Sequence, residues 1–302
     1  MCQKLKAIMN PRRWAIYFVC HFLAPLLPDY TYLKVLFRSC MGYWPNIDKP
    51  QTFNEKLQWL KLNNRKPEYT LMVDKALVKE YVANKIGEEY VIPMLGVWDS
   101  FEEIDFEKLP NQFVLKTTNG GGNTGVVICN DKSTFDIKKA KRKLNKSLEI
   151  SIYKRFREWP YKNVKGRIMA EQYMVDEGGS ELKDYKWFCF DGKPKALFIA
   201  SDRHVEGEEV KFDFYDDDFN HLPIRNGHPN SPNPIEKPRG FEQMKSLAAK
   251  LSDGHPCLRV DFYDINGVIY FGELTFYHFS GIVPFEPMEW DYKLGEWIKL
   301  PI

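Results

Sequence analysis

FVLKTTNGGGNTGVVIC, residues 113–129, is the stretch that decides how the chain reads. An apolar, β-prone run ends in Lys116. A loop of Asn, Thr and four glycines follows (Gly120, Gly121, Gly122 and Gly125), and Val126-Val127-Ile128 begins a second β-prone run at once. Glycines leave backbone N–H groups uncovered by side chains, which suits a phosphate. A strand ending in Lys116 would aim an ammonium at that phosphate. Gly120, Gly122 and Gly125 also fit G-x-G-x-x-G, but in a dinucleotide fold that motif opens a helix, and here a strand follows. A Walker loop needs Lys-Ser/Thr directly after its last glycine, where this chain has Val126-Val127. A protein kinase needs H-R-D and D-F-G, and neither occurs. The stretch therefore reads as a β-hairpin lid over the phosphates of a nucleotide. The alternative is a mobile glycine hairpin with no ligand.

The bulk properties narrow the classes around this lid. A chain of 302 residues holds two domains or one large α/β unit. A net charge of +2 supplies no global field for nucleic acid, so none is expected as a partner. The six cysteines are scattered without a C-x-x-C, the pattern of a reduced, cytosolic protein, and the six histidines lack zinc-ligand spacing. Trp14 to Leu27 is apolar, follows Arg12-Arg13 and contains Pro25. It is shorter than the roughly 20 residues of a spanning helix, and no small-x-small cleavage site is evident. It reads as a buried N-terminal helix or as a peripheral contact with the inner face of the cell membrane.

Further along, Thr52-Phe53-Asn54-Glu55 is a capping box opening a helix with Phe53, Leu57 and Leu60 on one face. The spacing predicts a second helix from Tyr69 to Ile86, with Val73, Ala76, Leu77 and Tyr81 as its stripe and Gly87 as its end; for Asp74-Lys75 within it the bland reading is a solvated charged pair. A basic helix through Lys138, Lys139, Lys141, Arg142, Lys143 and Lys146 reads as a solvated face or a surface for a polyanion. Arg167 to Met174 reads as a buried strand leaving into a loop, and Asp184 to Arg203 as a hairpin turning at Asp191-Gly192. Residues 205–238, with acids, asparagines and prolines, read as a long irregular insertion. A helix is expected from Phe241 to Leu251.

The last strong unit, CLRVDFYDINGVIYFGELT (257–275), is a hairpin around Asn266-Gly267. Arg259 and Asp261 share one face of its first strand, and Glu273 and Thr275 share one face of the second. Two carboxylates and a hydroxyl suit magnesium, with Arg259 placed to hold a phosphate. Register tests this. A strict two-residue turn puts Asp261 opposite Gly272 and sends Asp261 and Glu273 to opposite faces. The metal reading therefore requires an odd-length loop or a β-bulge.

The order of these parts, a lysine with a glycine hairpin, an acidic strand end, R-x-D and then E-x-T, resembles the ATP-grasp superfamily. TFNEKLQWLKL, Asp74-Lys75, FVLKTTNGGG, AEQYM, DYKWFCFDGKPK and GELTF together resemble its TupA-like family over roughly residues 45–295. The resemblance implies an α+β ATP-grasp fold, two α+β subdomains clasping ATP behind a helical N-terminal region. The units expected are 1–50 (helical), 51–112 (N-terminal part of the catalytic unit), 113–170 (lid) and 171–302 (metal-bearing subdomain). It implies that Lys116 contacts the α- and β-phosphates, with Asn119, Gly120, Gly121 and Gly122 in the lid over them and Lys75 as a further nucleotide contact. Glu171, Gln172, Tyr173 and Met174 would form the adenine hinge. Asp184 would hold the ribose or orient a lysine, and Lys186 joins the nucleotide contacts. Arg203 and Arg259 would meet the γ-phosphate or an acyl phosphate, and Asp261, Glu273 and Thr275 would hold Mg2+. The activity implied is ATP-dependent joining of a carboxylate to an amine in cell-surface polysaccharide synthesis. The partners would be an amino acid or amine and a glycan or lipid-linked glycan carboxylate. Alternatives are a glycosyltransferase using a nucleotide sugar, for which Asp216-Asp217-Asp218 supplies a D-x-D, a sugar or lipid kinase on the same fold, and a non-catalytic nucleotide-binding module.

Overall fold

Two antiparallel sheets and the chain segment between them position the candidate site residues from Lys75 to Thr275 that are described. The computed structural model describes residues 14, 16, 18–122, 124–176, 182–202, 207–233 and 235–301. In the larger sheet, β5 (Asp184–Phe190) and β6 (Lys193–Ser201) form the expected hairpin, and β10 (Leu258–Ile265) and β11 (Val268–Thr275) form the second. Both turn through two residues at positive φ, Asp191-Gly192 (48° and 73°) and Asn266-Gly267 (54° and 81°), the turn whose twist matches that of the strands. Residues 205–238 differ from the irregular insertion expected. They contain β7 (Lys211–Asp216), which pairs along β6, the short β8 (His221–Leu222) beside it, and β9 (Arg225–Asn226), which pairs with β12 (Phe285–Glu286). Phe212 and Phe214 share one face of β7 and pack on Phe198 of β6, while Asp213 and Tyr215 are buried on the other, so a strand buried on both faces lies inside a segment whose composition hides it. The strand order is β11-β10-β5-β6-β7-β8.

One face of this sheet, including Val260 and Trp187, is covered by α7 (Phe241–Ser252), with Trp187 and Phe241 5.0 Å apart at their ring centroids. The other face is covered at one end by α2 (Phe53–Asn63), where Phe53 meets Phe188 edge-on. The capping box at its start is formed, with the Glu55 N–H on Thr52 Oγ1 and the Thr52 N–H on Glu55 Oε2. Phe198 and Phe214 also lie on this face, and the part of it formed by β5, β10 and β11 carries charge.

The single helix expected from Tyr69 to Ile86 is two, α3 (Glu68–Val73) and α4 (Val78–Ile86). Asp74 breaks it. Its backbone is extended (ψ 116°), and its Oδ1 accepts from the N–H groups of Ala76 (2.9 Å) and Leu77 (3.1 Å). Asp side chains compete with helical backbone bonds in this way, and the apolar stripe around Asp74 conceals it.

The smaller sheet has the order β1-β4-β2-β3, from β1 (Met94–Trp98), β2 (Phe113–Thr117), β3 (Val126–Cys129) and β4 (Ile168–Gln172). A strand follows the glycine loop, with Lys116 opposite Val126. The basic helix, α5 (Ile137–Leu148), packs Ala140 and Leu144 on the sheet and leaves most of its lysines in solvent. In the N-terminal region, α1 (Asp29–Met41) buries Tyr32 and Leu36 against Val19 and Ala24.

The register test has a clear outcome. Pairing runs from Ile265–Val268 to Phe262–Phe271, then jumps to Asp261–Glu273 and Arg259–Thr275. The turn is strict, and Gly272 is the extra residue of a bulge that returns Arg259, Asp261, Glu273 and Thr275 to one face. A Cβ on Gly272 would lie 3.2 Å from Asp261 O and 3.3 Å from the Tyr263 ring. Gly272→Val is therefore expected to cost about 1–3 kcal/mol in urea unfolding.

Candidate active site

The charged face of the large sheet is built across three strands. Asp184 and Lys186 project from β5, Arg259 and Asp261 from β10, Glu273 and Thr275 from β11. Asp261 is buried and lies opposite Lys186, whose ammonium is 2.6 Å from Asp261 Oδ2 and 3.0 Å from Asp184 Oδ2. Asp184 thus forms an ion pair with the lysine that faces Asp261. Arg259 grips Asp261 with two bonds, Nε to Oδ1 at 2.7 Å and Nη2 to Oδ2 at 2.8 Å. Burial alone would raise the pKa of Asp261, but Arg259 and Lys186 override it and hold the carboxyl at about 2. Burial likewise opposes the charge on Arg259, and Asp261, Glu273 and Asp184 reverse this and raise its pKa. The Thr275 hydroxyl accepts from Arg259 Nη2 at 2.9 Å. Glu273 lies 3.9 Å from the same guanidinium and forms an ion pair with Lys75.

Lys75 joins the two halves of the site. Asp74 is buried and lies 3.3 Å from Arg167 beside β4, which removes the bland reading of Asp74-Lys75 as a solvated pair. The Lys75 N–H donates to Thr118 O at the end of β2, while its ammonium crosses to Glu273 on the large sheet. One turn later, Lys79 bonds Glu171 Oε1 at 2.7 Å, and Lys116 pairs with Glu171 Oε2. Burial works to raise the Glu171 pKa, and the two ammoniums hold it at about 2 instead. Burial lowers the pKa of Lys79, with Glu171 opposing the shift. Gln172, Tyr173 and Met174 continue from Glu171 as the exit of β4, with the Gln172 N–H on Pro93 O.

The four loop glycines divide into two pairs. Side chains at Gly120 or Gly125 would collide with Thr117 Oγ1, and at Gly125 with Ser147 Oγ as well. These two hydroxyls bond each other at 2.9 Å in the interior and tie the lid root to α5. Gly121 and Gly122 lie in open space: the nearest atom to a Cβ on Gly121 is Ile152 Cδ1 at 3.5 Å, and none lies within 4 Å of one on Gly122. The root is thus packed and the tip is not. The Asn119 amide donates to Leu148 O, which turns it to the root. Gly125→Ala is expected to cost about 1–3 kcal/mol by overpacking, whereas Gly121→Ala should unfold at the wild-type urea midpoint.

Several parts of this site were not read from sequence. His278 accepts from Arg259 Nη1 through Nδ1 at 2.8 Å and donates from Nε2 to Asn226 Oδ1 at 2.7 Å. The Asn226 amide is oriented in turn by the carbonyls of Val283 and Pro284. Burial, followed by Arg259, pushes the His278 pKa well below its usual range, so the ring is neutral and this tautomer is fixed. Asn226 comes from the supposed insertion, which therefore supports the arginine. Phe279, Ser280 and Gly281 follow at φ 45°, 55° and 61°, and α2 clamps this left-handed turn. Gln58 Nε2 bonds Ser280 O and Gly281 O, and Lys61 Nζ bonds Ser280 O at 2.8 Å. Asn54, Gln58 and Lys61 form a buried polar stripe at helical spacing. Lys79, near the start of α4, is a further buried charge of this kind. Arg203 lies outside the described residues.

Comparison with known proteins follows from this geometry. The family profile described as TupA-like ATP-grasp matches residues 55–299. No curated protein sequence matches the chain. Among solved structures, D-alanine–D-alanine ligase from Helicobacter pylori is 14% identical with a TM-score of 0.45, over 82% of this chain and 69% of the ligase. The Bacillus anthracis D-alanine–D-alanine ligase is 17% identical with a TM-score of 0.38, over 68% of this chain and 57% of that enzyme. N5-carboxyaminoimidazole synthase from Aspergillus clavatus, in complex with ADP, is 13% identical with a TM-score of 0.39, over 70% of this chain and 46% of the synthase. The chain thus spans little more than half the length of the latter two, taken together. The family match runs from the capping box of α2 through the lid, the Glu171 strand and the bulged hairpin to the end of the last helix, and on it this chain belongs to the TupA-like ATP-grasp family.

Proposed function

We propose that the protein is an ATP-dependent carboxylate–amine ligase that works with Mg2+ through an acyl phosphate, in the synthesis or modification of a cell-surface polysaccharide. The observation that carries this reading is the span from Asp74 to Lys79. Six residues link the lysine–glutamate cluster below the glycine lid to the carboxylates of the large sheet through Lys79–Glu171, Lys75 N–H to Thr118 O and Lys75–Glu273. A triphosphate laid along that span would have Lys116 and the open tip at Gly121-Gly122 on one side. On the other it would meet Lys75, Lys186 and Arg259. Glu171 and the chain from Gln172 to Met174 border the place for adenine. The lid unit 113–170 and the metal-bearing unit 171–302 would clasp the nucleotide, with 51–112 joining them and 1–50 as a helical prelude.

The donor set fits magnesium. Asp261 and Glu273 offer hard oxygen ligands on one face and leave the rest of an octahedral shell to phosphate oxygens and water. When bound, Mg2+ would neutralise phosphate charge. Phosphoryl transfer needs positioning and charge neutralisation more than a protein nucleophile, and this chain supplies lysines and an arginine locked by neutral His278. A substrate carboxylate oxygen would attack the γ-phosphorus and release ADP. The amine nitrogen would then attack the acyl carbon, phosphate would leave, and the amine would lose its proton as the amide forms. The substrates in this reading are an amino acid or other small amine and a glycan or lipid-linked glycan carboxylate, met on the cytoplasmic side.

The acidic triplet that would support a glycosyltransferase is engaged elsewhere. The Asp216 carboxylate accepts from Asp218 N–H, Asn220 N–H and the Asn220 amide, and Asp217 lies 3.6 Å from Lys245. The test is a trap: ATP, Mg2+ and glycan carboxylates are supplied with hydroxylamine in place of the amine. ATP-dependent hydroxamate is expected. ADP release with phosphate transferred to a sugar hydroxyl would instead assign a kinase.

A further inference from the structure

We propose that the outer face of the N-terminal segment is an interfacial anchor that lays the protein on an anionic lipid bilayer. Trp14, Phe18, Phe22 and Leu26 recur every fourth residue and are 60%, 53%, 55% and 75% exposed. The Phe18 and Phe22 rings stack with centroids 5.3 Å apart, so these side chains share a face. The opposite face is fastened to the body. Val19 and Ala24 are buried against Tyr32 and Leu36 of α1, with Phe156 of α6 (Ile152–Phe156) packed on the same cluster. Arg157 bonds Ala24 O, pairs with Asp29 at 2.9 Å and lies 4.3 Å over the Tyr32 ring. The aromatic stripe is thus held outward by a built contact, and exposed apolar patches of this kind mark interaction sites.

Charge identifies the occupant. Residues 1–28 contain Lys4, Lys6, Arg12 and Arg13 and no carboxylate. The first acid, Asp29, is neutralised by Arg65 and Arg157. Exposed Lys154 and Arg155 lie on α6, which packs beside the segment. The whole chain has a net charge of only +2, so this concentration is local. Aromatic side chains flanked by cations match the headgroup boundary of an anionic membrane, whose surface attracts basic residues. Among the described residues no helix is long and apolar enough to cross a membrane, so the segment is assigned a position along the interface. The cluster that fastens it also takes in Ile282, directly after the turn beneath Arg259. Lipid contact would therefore fall on the side of the molecule where that turn sits.

The test uses the full chain in flotation with vesicles of phosphatidylcholine alone and of phosphatidylcholine mixed with phosphatidylglycerol. Binding to the anionic vesicles, weakening as salt is added, is expected. Phe18→Ser/Phe22→Ser should weaken it at least about tenfold and leave the Mg-ATP thermal shift unchanged. Wild-type protein that stays off anionic vesicles, or a double variant that binds equally well, overturns the proposal. So does a wild-type dimer that the double variant dissociates in light scattering, which would give the stripe to a second copy. Vesicle binding without any ATP shift would contradict the ligase reading alone, and an ATP shift without vesicle binding would contradict the anchor alone.

Discussion

Glu273→Gln is expected to abolish Mg2+-dependent ATP turnover, with a fall on the order of a thousandfold, while the folded protein stays within about 1 kcal/mol of wild type. The two effects separate because of where Glu273 sits. Its side chain is 26% exposed and paired with Lys75 at the rim, so the substitution removes one partly solvated ion pair from the nucleotide-free protein. In the nucleotide complex the same carboxylate would face a divalent ion beside Asp261, and a neutral amide there leaves one negative charge where two are needed. Asp261→Asn should lose turnover to a similar extent but also lose stability, because it leaves Arg259 and Lys186 with a neutral partner in the interior. ADP release and urea unfolding on the two variants measure the contrast. If Glu273→Gln retains turnover, the metal is not on this face.

Glu171→Gln is expected to destabilise the protein by about 3 kcal/mol at neutral pH, through two ammoniums left facing an amide in a buried site. The pKa of Glu171 leads to the same size. Its folded value of about 2 lies below the ordinary 4.5, a gap of about 3 kcal/mol in linkage terms. The sign follows from that depression. The stabilisation is complete above the unfolded pKa and is lost as pH falls through 4.5 toward 2. Urea midpoints should therefore differ widely between wild type and variant at pH 7 and converge as the pH is lowered through that window. A difference that stays constant across it would mean that Glu171 is not held by Lys79 and Lys116.

Local rules carried the sequence reading as far as spacing could encode them. The glycine hairpin, the capping box, both two-residue turns and the face shared by Arg259 and Asp261 depend on neighbouring residues. The need for a bulge followed from period-2 alternation, and Gly272 meets it. Other features depend on groups far apart in the chain. Asp74 interrupts an apolar stripe that predicts continuous helix, since nothing nearby reveals that its carboxylate will cap its own backbone and meet Arg167. The pairing of Lys75 with Glu273 has no local signal because the two are 198 residues apart. β7 was hidden because its flanks carry the composition of a loop, and with it went Asn226 and the chain through His278 to Arg259. Gln58 and Lys61 lie off the apolar face of Phe53, Leu57 and Leu60 that the spacing shows, and the distant turn at Ser280 buries them.

Mg-ATP binding, followed by thermal shift on the wild type and Lys116→Ala, tests the central claim most directly. A ligand that binds only the folded chain at about a hundred times its Kd adds about 2.7 kcal/mol, or about 4 °C for a chain of this length. The account predicts that shift with Mg-ATP, a much smaller one without Mg2+, none with a UDP-sugar, and its loss in Lys116→Ala. A UDP-sugar that stabilises the protein where Mg-ATP does not would contradict it.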